Sequence, residues 1–359
     1  MTSKTNPGNY FEDFEIGQTI EHAIPRTLTE GDNALYIGLT ADRYPLYCDA
    51  EFARSLGFGR EVINDLLVFH TVFGKSVPDV SLNAVANLGY AEVQFLKPVY
   101  PGDTLRSISK VMGKKENRSG KNGNVYVRTQ GFNQKGETVL QFYRWVMVHK
   151  KDPSTPTGEN SIPKLPSEVA IENLVVPEGL KLSDFNAGAT GGRWFLEDYE
   201  AGERIYHDAG MTILEAEHAT ATRLYQNTAK VHFDQHFMNN TPAKKRLIYG
   251  GHIISLLRAL SFNGLENVVK ILAWNGGTHS NPTYSGDTLY AFTDIISKHD
   301  LPGRTDCGAL RLRLVGVKNQ NPESEPLEVK SMDEAKGREV YHKNVVLDLD
   351  YFVLIPQRG

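Results

Sequence analysis

Residues 12–49 and 197–234 of this chain are two versions of one sequence. EDFEIGQTIEHAIPRTLTEGDNALYIGLTADRYPLYCD aligns with EDYEAGERIYHDAGMTILEAEHATATRLYQNTAKVHFD without a gap, at an offset of 185. Glu12/Glu197, Asp13/Asp198, Gly17/Gly202, Ile20/Ile205, His22/His207, Thr27/Thr212, Glu30/Glu215, Ala34/Ala219 and Asp49/Asp234 coincide. A tandem repeat restricts the chain to two copies of one fold, and 359 residues suffice for two domains of ordinary size. The difference with most consequence is Tyr47 against His232. An imidazole kept in one copy alone predicts two equivalent folds and one working site.

The repeat continues downstream. GREVINDLLVFHTVFG (59–74) faces KRLIYGGHIISLLRAL (245–260) at an offset of 186, as if one residue were inserted, and KPVYPGDTL (97–105) faces NPTYSGDTL (281–289) at 184. Between the copies, DPSTPTGENSIPKLPSEV (152–169) is rich in Pro, Ser and Thr and reads as a linker. The expected organisation is an N-terminal domain over 1–151, a linker over 152–192 and a C-terminal domain over 193–359.

Charge is nearly balanced, with 39 basic and 43 acidic residues, so nothing points to nucleic acid or an anionic membrane surface. Two cysteines, Cys48 and Cys307, lie in different copies, which argues against a disulfide framework and for a reduced, cytoplasmic setting. MTSKTNPGNYFEDF has no apolar run behind its lysine, unlike a secretory signal, and no stretch approaches the ~20 apolar residues that span a bilayer.

Each copy has the same coarse order. Thr27–Leu39 and Thr212–Leu224 open with Thr-x-x-Glu, a capping-box pattern, and continue at helical spacing. A loop and a mostly apolar helix follow, near 62–74 and 248–262. VYVRTQGF, VLQFYRWVMV and VVLDLDYFVLI carry the β-branched and aromatic residues of strands. One long apolar helix followed by an antiparallel run of strands predicts an α+β unit, a sheet wrapped around a helix. Such a unit leaves an edge open, and pairing two units covers it within one chain.

The Pro-x-Tyr-x-Gly-Asp-Thr-Leu segments with Gly102 and Gly286, the Thr-x-x-Glu helices and the His232 loop resemble the MaoC-like dehydratase family. Its members are hot-dog enzymes that hydrate enoyl-CoA thioesters. The family loop has the form Asp-x-Asn-Pro-x-His, followed by a Gly at the start of the central helix. Copy two has Asn227-Thr-Ala-Lys-Val-His232 with Ile248-Tyr249-Gly250-Gly251; copy one has Asp42-Arg-Tyr-Pro-Leu-Tyr47 with Val62-Ile63-Asn64-Asp65. Each copy holds part of the pattern. The resemblance implies a tandem double hot-dog, a degenerate first half that binds the substrate or CoA portion, and a catalytic second half. Asn6-Pro-Gly-Asn-Tyr-Phe-Glu-Asp-Phe, residues 66–91 and residues 226–234 look most like members acting on a short branched, dicarboxylic acyl-CoA.

Adding water across an α,β-unsaturated thioester needs a base for water, a donor for the enolate oxygen and an acid for the α-carbon. His232 is the natural proton carrier, since imidazole titrates near neutrality. The N–H of Gly251, at a helix N-terminus with Gly250 allowing close approach, is a suitable oxyanion donor. Asn227 stands where the family has Asp; an amide can hold a water but cannot take its proton. Asp234 and Asp42 are candidate assisting acids. A free carboxylate on the acyl group calls for a cation, for which Lys230, Arg223, Arg60 and Arg246 are candidates. Bland readings stand beside these: a cap or turn for Asn227 and Asp42, helix packing for the glycines, solvated charge for the basic residues. Glu30/Glu215, Asp103/Asp287 and His22/His207 persist in both copies, which fits a fold role. No metal or cofactor is expected, because no His/Cys/Asp cluster has ligand spacing. The partner is a CoA-thioester substrate, and a further homodimer is allowed but not required. Rival readings are an (R)-specific enoyl-CoA hydratase for linear chains, a hot-dog thioesterase suggested by Gly250-Gly251-His252 and Asp65, and a non-catalytic acyl-CoA-binding protein.

Overall fold

A computed structural model describes residues 4–335 and 337–358. Ten strands form one antiparallel sheet: β1 (Thr19–Thr27), β2 (Ala84–Phe95), β3 (Thr104–Glu116), β4 (Asn122–Phe132) and β5 (Thr138–His149) from copy one, and β6 (Arg204–Thr212), β7 (Lys270–His279), β8 (Thr288–Asp300), β9 (Cys307–Lys318) and β12 (Val345–Pro356) from copy two. A separate hairpin, β10 (Lys330–Asp333) and β11 (Arg338–Tyr341), is inserted before β12. The spatial order is β1-β3-β4-β5-β2-β7-β12-β9-β8-β6, so each copy builds the same five-strand ladder and the two ladders join at β2 and β7. Tyr90 pairs with Gly277, Ala91 with Gly276, Val93 with Trp274 and Gln94 with Ala273. The edge that either unit would leave open is thereby paired.

Alternation along the strands turns one face onto a helix. In β4 every second residue is buried from Gly123 to Gly131, the period expected of a half-covered strand. The helix Asp65–Ser76 is buried at all of its positions and Gly250–Leu260 at all but its first, as helices apolar on every side should be. They communicate across the interface: the His70 imidazole and the Tyr36 hydroxyl both hydrogen-bond Ser255 Oγ, at 2.7 and 2.9 Å. Gly74 is needed there, because a Cβ would sit 2.0 Å from the Tyr225 carbonyl oxygen.

Three sequence expectations shift. The short helices begin later than Thr27 and Thr212, at Glu30 and Glu215. Both threonines end strands and hydrogen-bond Thr104 and Thr288 at 2.7 Å, while Thr29 with Asp32 forms the capping box of the first helix. At the central helices the offset stays 185, not 186. Asn64 and Tyr249 occupy the N-cap positions, and the N–H groups of Ile63 and Ile248 donate to the equivalent carbonyls of Val99 and Thr283. Lastly, residues 152–192 lie against the domains: Val169 and Leu182 donate backbone bonds to Asn275 and Asp306, and Val169, Leu174, Leu180 and Leu182 are buried. Among the described residues no helix is long and apolar enough to cross a membrane.

Candidate active site

Equivalent backbone bonds fix which residues correspond at the two helix entries. The Asn64 N–H donates to Asn33 Oδ1, and the Tyr249 N–H to Nε2 of His218, each at 3.0 Å. With that register copy two carries His218, His232 and His252 where copy one carries Asn33, Tyr47 and Leu67, and at the downstream offset of 184 His279 stands opposite Phe95. Four imidazoles have therefore gathered in one copy alone.

Copy one is filled. Asn64 caps its own helix, its side chain accepting from the Leu66 N–H at 2.9 Å; this N–H corresponds to that of Gly251. Asp65, at the position of Gly250, accepts from the Tyr47 hydroxyl at 2.6 Å and pairs with Lys270 at 3.3 Å. Asp42 accepts from Asn64 Nδ2 and the Tyr44 N–H, at 2.8 and 2.9 Å. Burial pushes the Asp42 carboxyl up to about 6, despite the opposing field of Arg258. Asp42 is thus a buried member of the first half's network, away from His232. Asp65 and Lys270 are 5 and 2% exposed, so Asp65→Asn should leave an uncompensated buried ammonium and destabilise the fold by about 3–5 kcal/mol. Denaturant unfolding measures this, and a loss below about 1 kcal/mol would show that the pair is not a buried charge pair in solution.

Copy two differs at the same place. Tyr249 provides no side-chain cap, so the first N–H groups of Gly250–Leu260 have no side-chain acceptor, the rings of Tyr249 and His279 lying against Gly251 and Gly250 instead, and the helix N-terminus favours negative charge. His232 stands beside it. Its Nδ1 donates to the Leu247 carbonyl at 2.7 Å, which places the proton on Nδ1 and leaves Nε2 as the free base. Its ring lies 5.6 Å from Tyr249 and 6.2 Å from His218. Burial lowers its pKa to about 4, against the smaller raising effect of the Leu247 carbonyl. His218 accepts the Tyr249 N–H through Nε2, so its proton sits on Nδ1, a buried atom without a partner. Burial first, then His232, His252 and Arg246, push the His218 pKa down to about 2.

His279 completes the arrangement. A Cβ on Gly250 would lie 2.6–2.8 Å from its ring atoms, so the glycine lets the imidazole lie directly on the helix start. Its Nε2 is 3.4 Å from the Tyr90 hydroxyl of the first half, and burial, then His232, lowers its pKa to about 4. His252 hydrogen-bonds the Tyr225 hydroxyl at 3.2 Å, and burial lowers it to about 4.

The other sequence candidates divide. Asn227 is buried and accepts the Ala229 N–H at 3.2 Å, the same turn that Asp42 forms with Tyr44; it shapes the loop that delivers His232. Asp234 is exposed and caps the helix Gln235–Met238 through the Phe237 N–H at 2.9 Å, which places it in the fold rather than against the imidazole. Lys230 and Arg223 are exposed, with Lys230 Nζ 5.9 Å from the Phe237 ring centroid. Arg246 is ion-paired with Glu215, as Arg60 is with Glu30, so neither arginine is an idle cation. His22 and His207 each hydrogen-bond through both ring nitrogens, and Asp103 and Asp287 accept from Tyr100 and Tyr284 in matching turns.

Two fused hot-dog units with an imidazole beside an uncapped helix N-terminus in the second unit alone define a double hot-dog protein of the MaoC-like kind. Residues 2–327 match the family model of mesaconyl-CoA hydratase, and the chain belongs to that family. Beta-methylmalyl-CoA dehydratase of Chloroflexus aurantiacus is 52% identical over 359 residues, all of both chains. Mesaconyl-CoA hydratase of Cereibacter sphaeroides is 50% identical over 356 residues, 99% of this chain and all of that one. Among solved structures, a MaoC domain protein of Chloroflexus aurantiacus superposes with a TM-score of 0.94 at 52% identity over the whole of both chains. A Mycobacterium tuberculosis protein described as having a double hotdog fold matches at 0.73 over 98% of this chain and 99% of that one, at 23% identity, a likeness of fold.

Proposed function

We propose that this protein reversibly adds water to mesaconyl-CoA to give β-methylmalyl-CoA, with the chemistry in the second half. The observation that carries the reading is the free Nε2 of His232 next to a helix N-terminus that only copy two leaves uncapped, in a chain of the mesaconyl-CoA hydratase family.

The steps follow from these groups. The thioester oxygen lies at the helix start, where the Gly251 N–H donates to it and the helix dipole favours its growing charge. His232 Nε2 takes a proton from water as the oxygen bonds to the β-carbon, and electrons move to the thioester oxygen. The imidazolium then returns that proton to the α-carbon. One histidine completes the balance, so the missing carboxylate at 227 leaves no step without an agent. The site that lowers the imidazole's pKa makes the imidazolium a ready donor, while the enolate beside it offsets the cost of charging it. The Nδ1–H of His218 is a second buried donor, available to the water or to the thioester oxygen. Copy one contributes a wall: Tyr90 lies at His279, and Phe73 and His70 each lie 5.5 Å from Tyr249.

Loss of enoyl-thioester absorbance, followed with mesaconyl-CoA and crotonyl-CoA side by side, tests the substrate. Faster turnover of mesaconyl-CoA is expected. Faster turnover of crotonyl-CoA would replace this reading by a linear-chain hydratase, and release of free thiol by a thioesterase.

A further inference from the structure

Arg144, on β5 of the first half, is 0% exposed. Its guanidinium donates to the hydroxyls of Ser76 and Ser81, at 2.8 and 3.4 Å, and lies 4.2 Å from the Phe73 ring centroid. Among the described residues no carboxylate forms an ion pair with it; Asp79, on the same side of the domain, is engaged by His22 at 2.8 Å. Its Nε is buried and without a partner. A buried charge ordinarily has a counter-ion, because desolvation is otherwise uncompensated.

The repeat shows what is missing. At the copy-one entry, cations of the second half face carboxylates: Lys270 pairs with Asp65, and Arg258, beside Tyr44 and in the field of Asp42, lines the same small cavity as both acids. At the copy-two entry the two carboxylates are replaced by Asn227 and Gly250, both neutral, and the positions equivalent to Arg258 and Lys270 hold Phe73 and Ala86; the first-half cation at this place is Arg144, over the Phe73 ring. The ring against which Arg144 stacks, Phe73, lies 5.5 Å from Tyr249, which in turn lies 5.6 Å from His232. The Tyr249 ring folds over Gly251, where a Cβ would lie 2.5 Å from its hydroxyl. That hydroxyl is also buried with no partner, and it lies within the electrostatic reach of Arg144.

We infer that Arg144 and the Tyr249 hydroxyl form a subsite for the free carboxylate of a dicarboxylic acyl-CoA, the first half supplying the cation and the second half the phenol and the reacting groups. The subsite rests on the hydratase reading above and makes the first half part of the second half's binding site. Seating the carboxylate requires the phenol to turn from Gly251 toward Arg144, which also clears the helix start for the thioester oxygen.

Calorimetric titration with two unreactive esters tests it: methylsuccinyl-CoA, which has the free carboxylate, and 2-methylbutyryl-CoA, which has a methyl group in its place. The unaltered protein should bind methylsuccinyl-CoA about 10- to 100-fold more tightly, the range for hydrogen bonds to a charged group. Arg144→Met should erase that preference while leaving the affinity for 2-methylbutyryl-CoA unchanged, and Tyr249→Phe should reduce it. Equal affinities in the unaltered protein, or a preference that survives Arg144→Met, would overturn the subsite alone. Binding of neither ester, with no hydration of mesaconyl-CoA, would overturn the hydratase reading and the subsite with it. Should Arg144→Met not fold, the unaltered protein and Tyr249→Phe still decide.

Discussion

Replacing His232 with alanine is expected to slow hydration of mesaconyl-CoA by about 10²- to 10⁴-fold, the usual range for removing a positioned general acid–base. The effect should fall on kcat, because Gly251 and the opposite wall, not the imidazole, hold the ester. The pH profile carries a second signature. With the His232 pKa lowered to about 4 by burial, the free-enzyme imidazole is neutral across the neutral range. The rate constant kcat/KM should therefore stay level well below pH 6.5 and fall only as pH approaches 4. An alanine variant with unchanged turnover would remove His232 from the mechanism, while a bend near 6.5 would show that its pKa is not lowered by burial. Tyr47→Phe, at the equivalent place in copy one, should leave turnover near that of the parent, since Tyr47 faces Asp65 in the filled entry.

Much of this was legible in the sequence, and what was not has a physical reason. The offset of 185 and the exchange of Tyr47 for His232 stand in the letters, and they give the paired domains and the half that differs. The letters leave the helix entries ambiguous by one residue because NDLLVFH and YGGHIIS share little beyond apolar character; the matched backbone bonds of Ile63 and Ile248 settle the register. That register sets His252 against Leu67. His218 and His279 gave no signal alone, one being a helical residue and the other the end of a strand. Comparing the copies position by position would have found them. Asp234 is a candidate acid in the sequence, but an Asp ahead of a helical turn is as suited to capping, and here it caps. Arg144 was out of reach of sequence reasoning, because its relevance arises only when β2 and β7 bring the halves together.

Stability should fall steeply with acid, and the same histidines are the cause. His207, His218 and His252 are 3, 0 and 1% exposed, with pKa values lowered to about 4, 2 and 4, chiefly by burial. Unfolded, each would titrate near 6.5. Between about pH 6.5 and 4 the unfolded chain therefore binds protons that the folded chain refuses, and stability rises with pH by about 1.4 kcal/mol per unit for each such group. Three of them give about 4 kcal/mol per pH unit. His232 and His279, partly exposed and also lowered to about 4, add in the same direction. Asp42 works against them: its carboxyl is raised to about 6, so between about 6 and its unfolded value near 3.9 it favours the folded state as pH falls, cancelling roughly one imidazole's share. The net expectation is a melting temperature that is level above pH 7 and drops sharply between pH 6 and 4.5, read by scanning calorimetry. The repeat supplies the control. His218→Asn installs the residue that copy one uses to accept the same backbone N–H, and should flatten the dependence by about 1.4 kcal/mol per pH unit. A profile as steep as the parent's would mean that His218 is already protonated in the fold, which its acceptance of the Tyr249 N–H forbids.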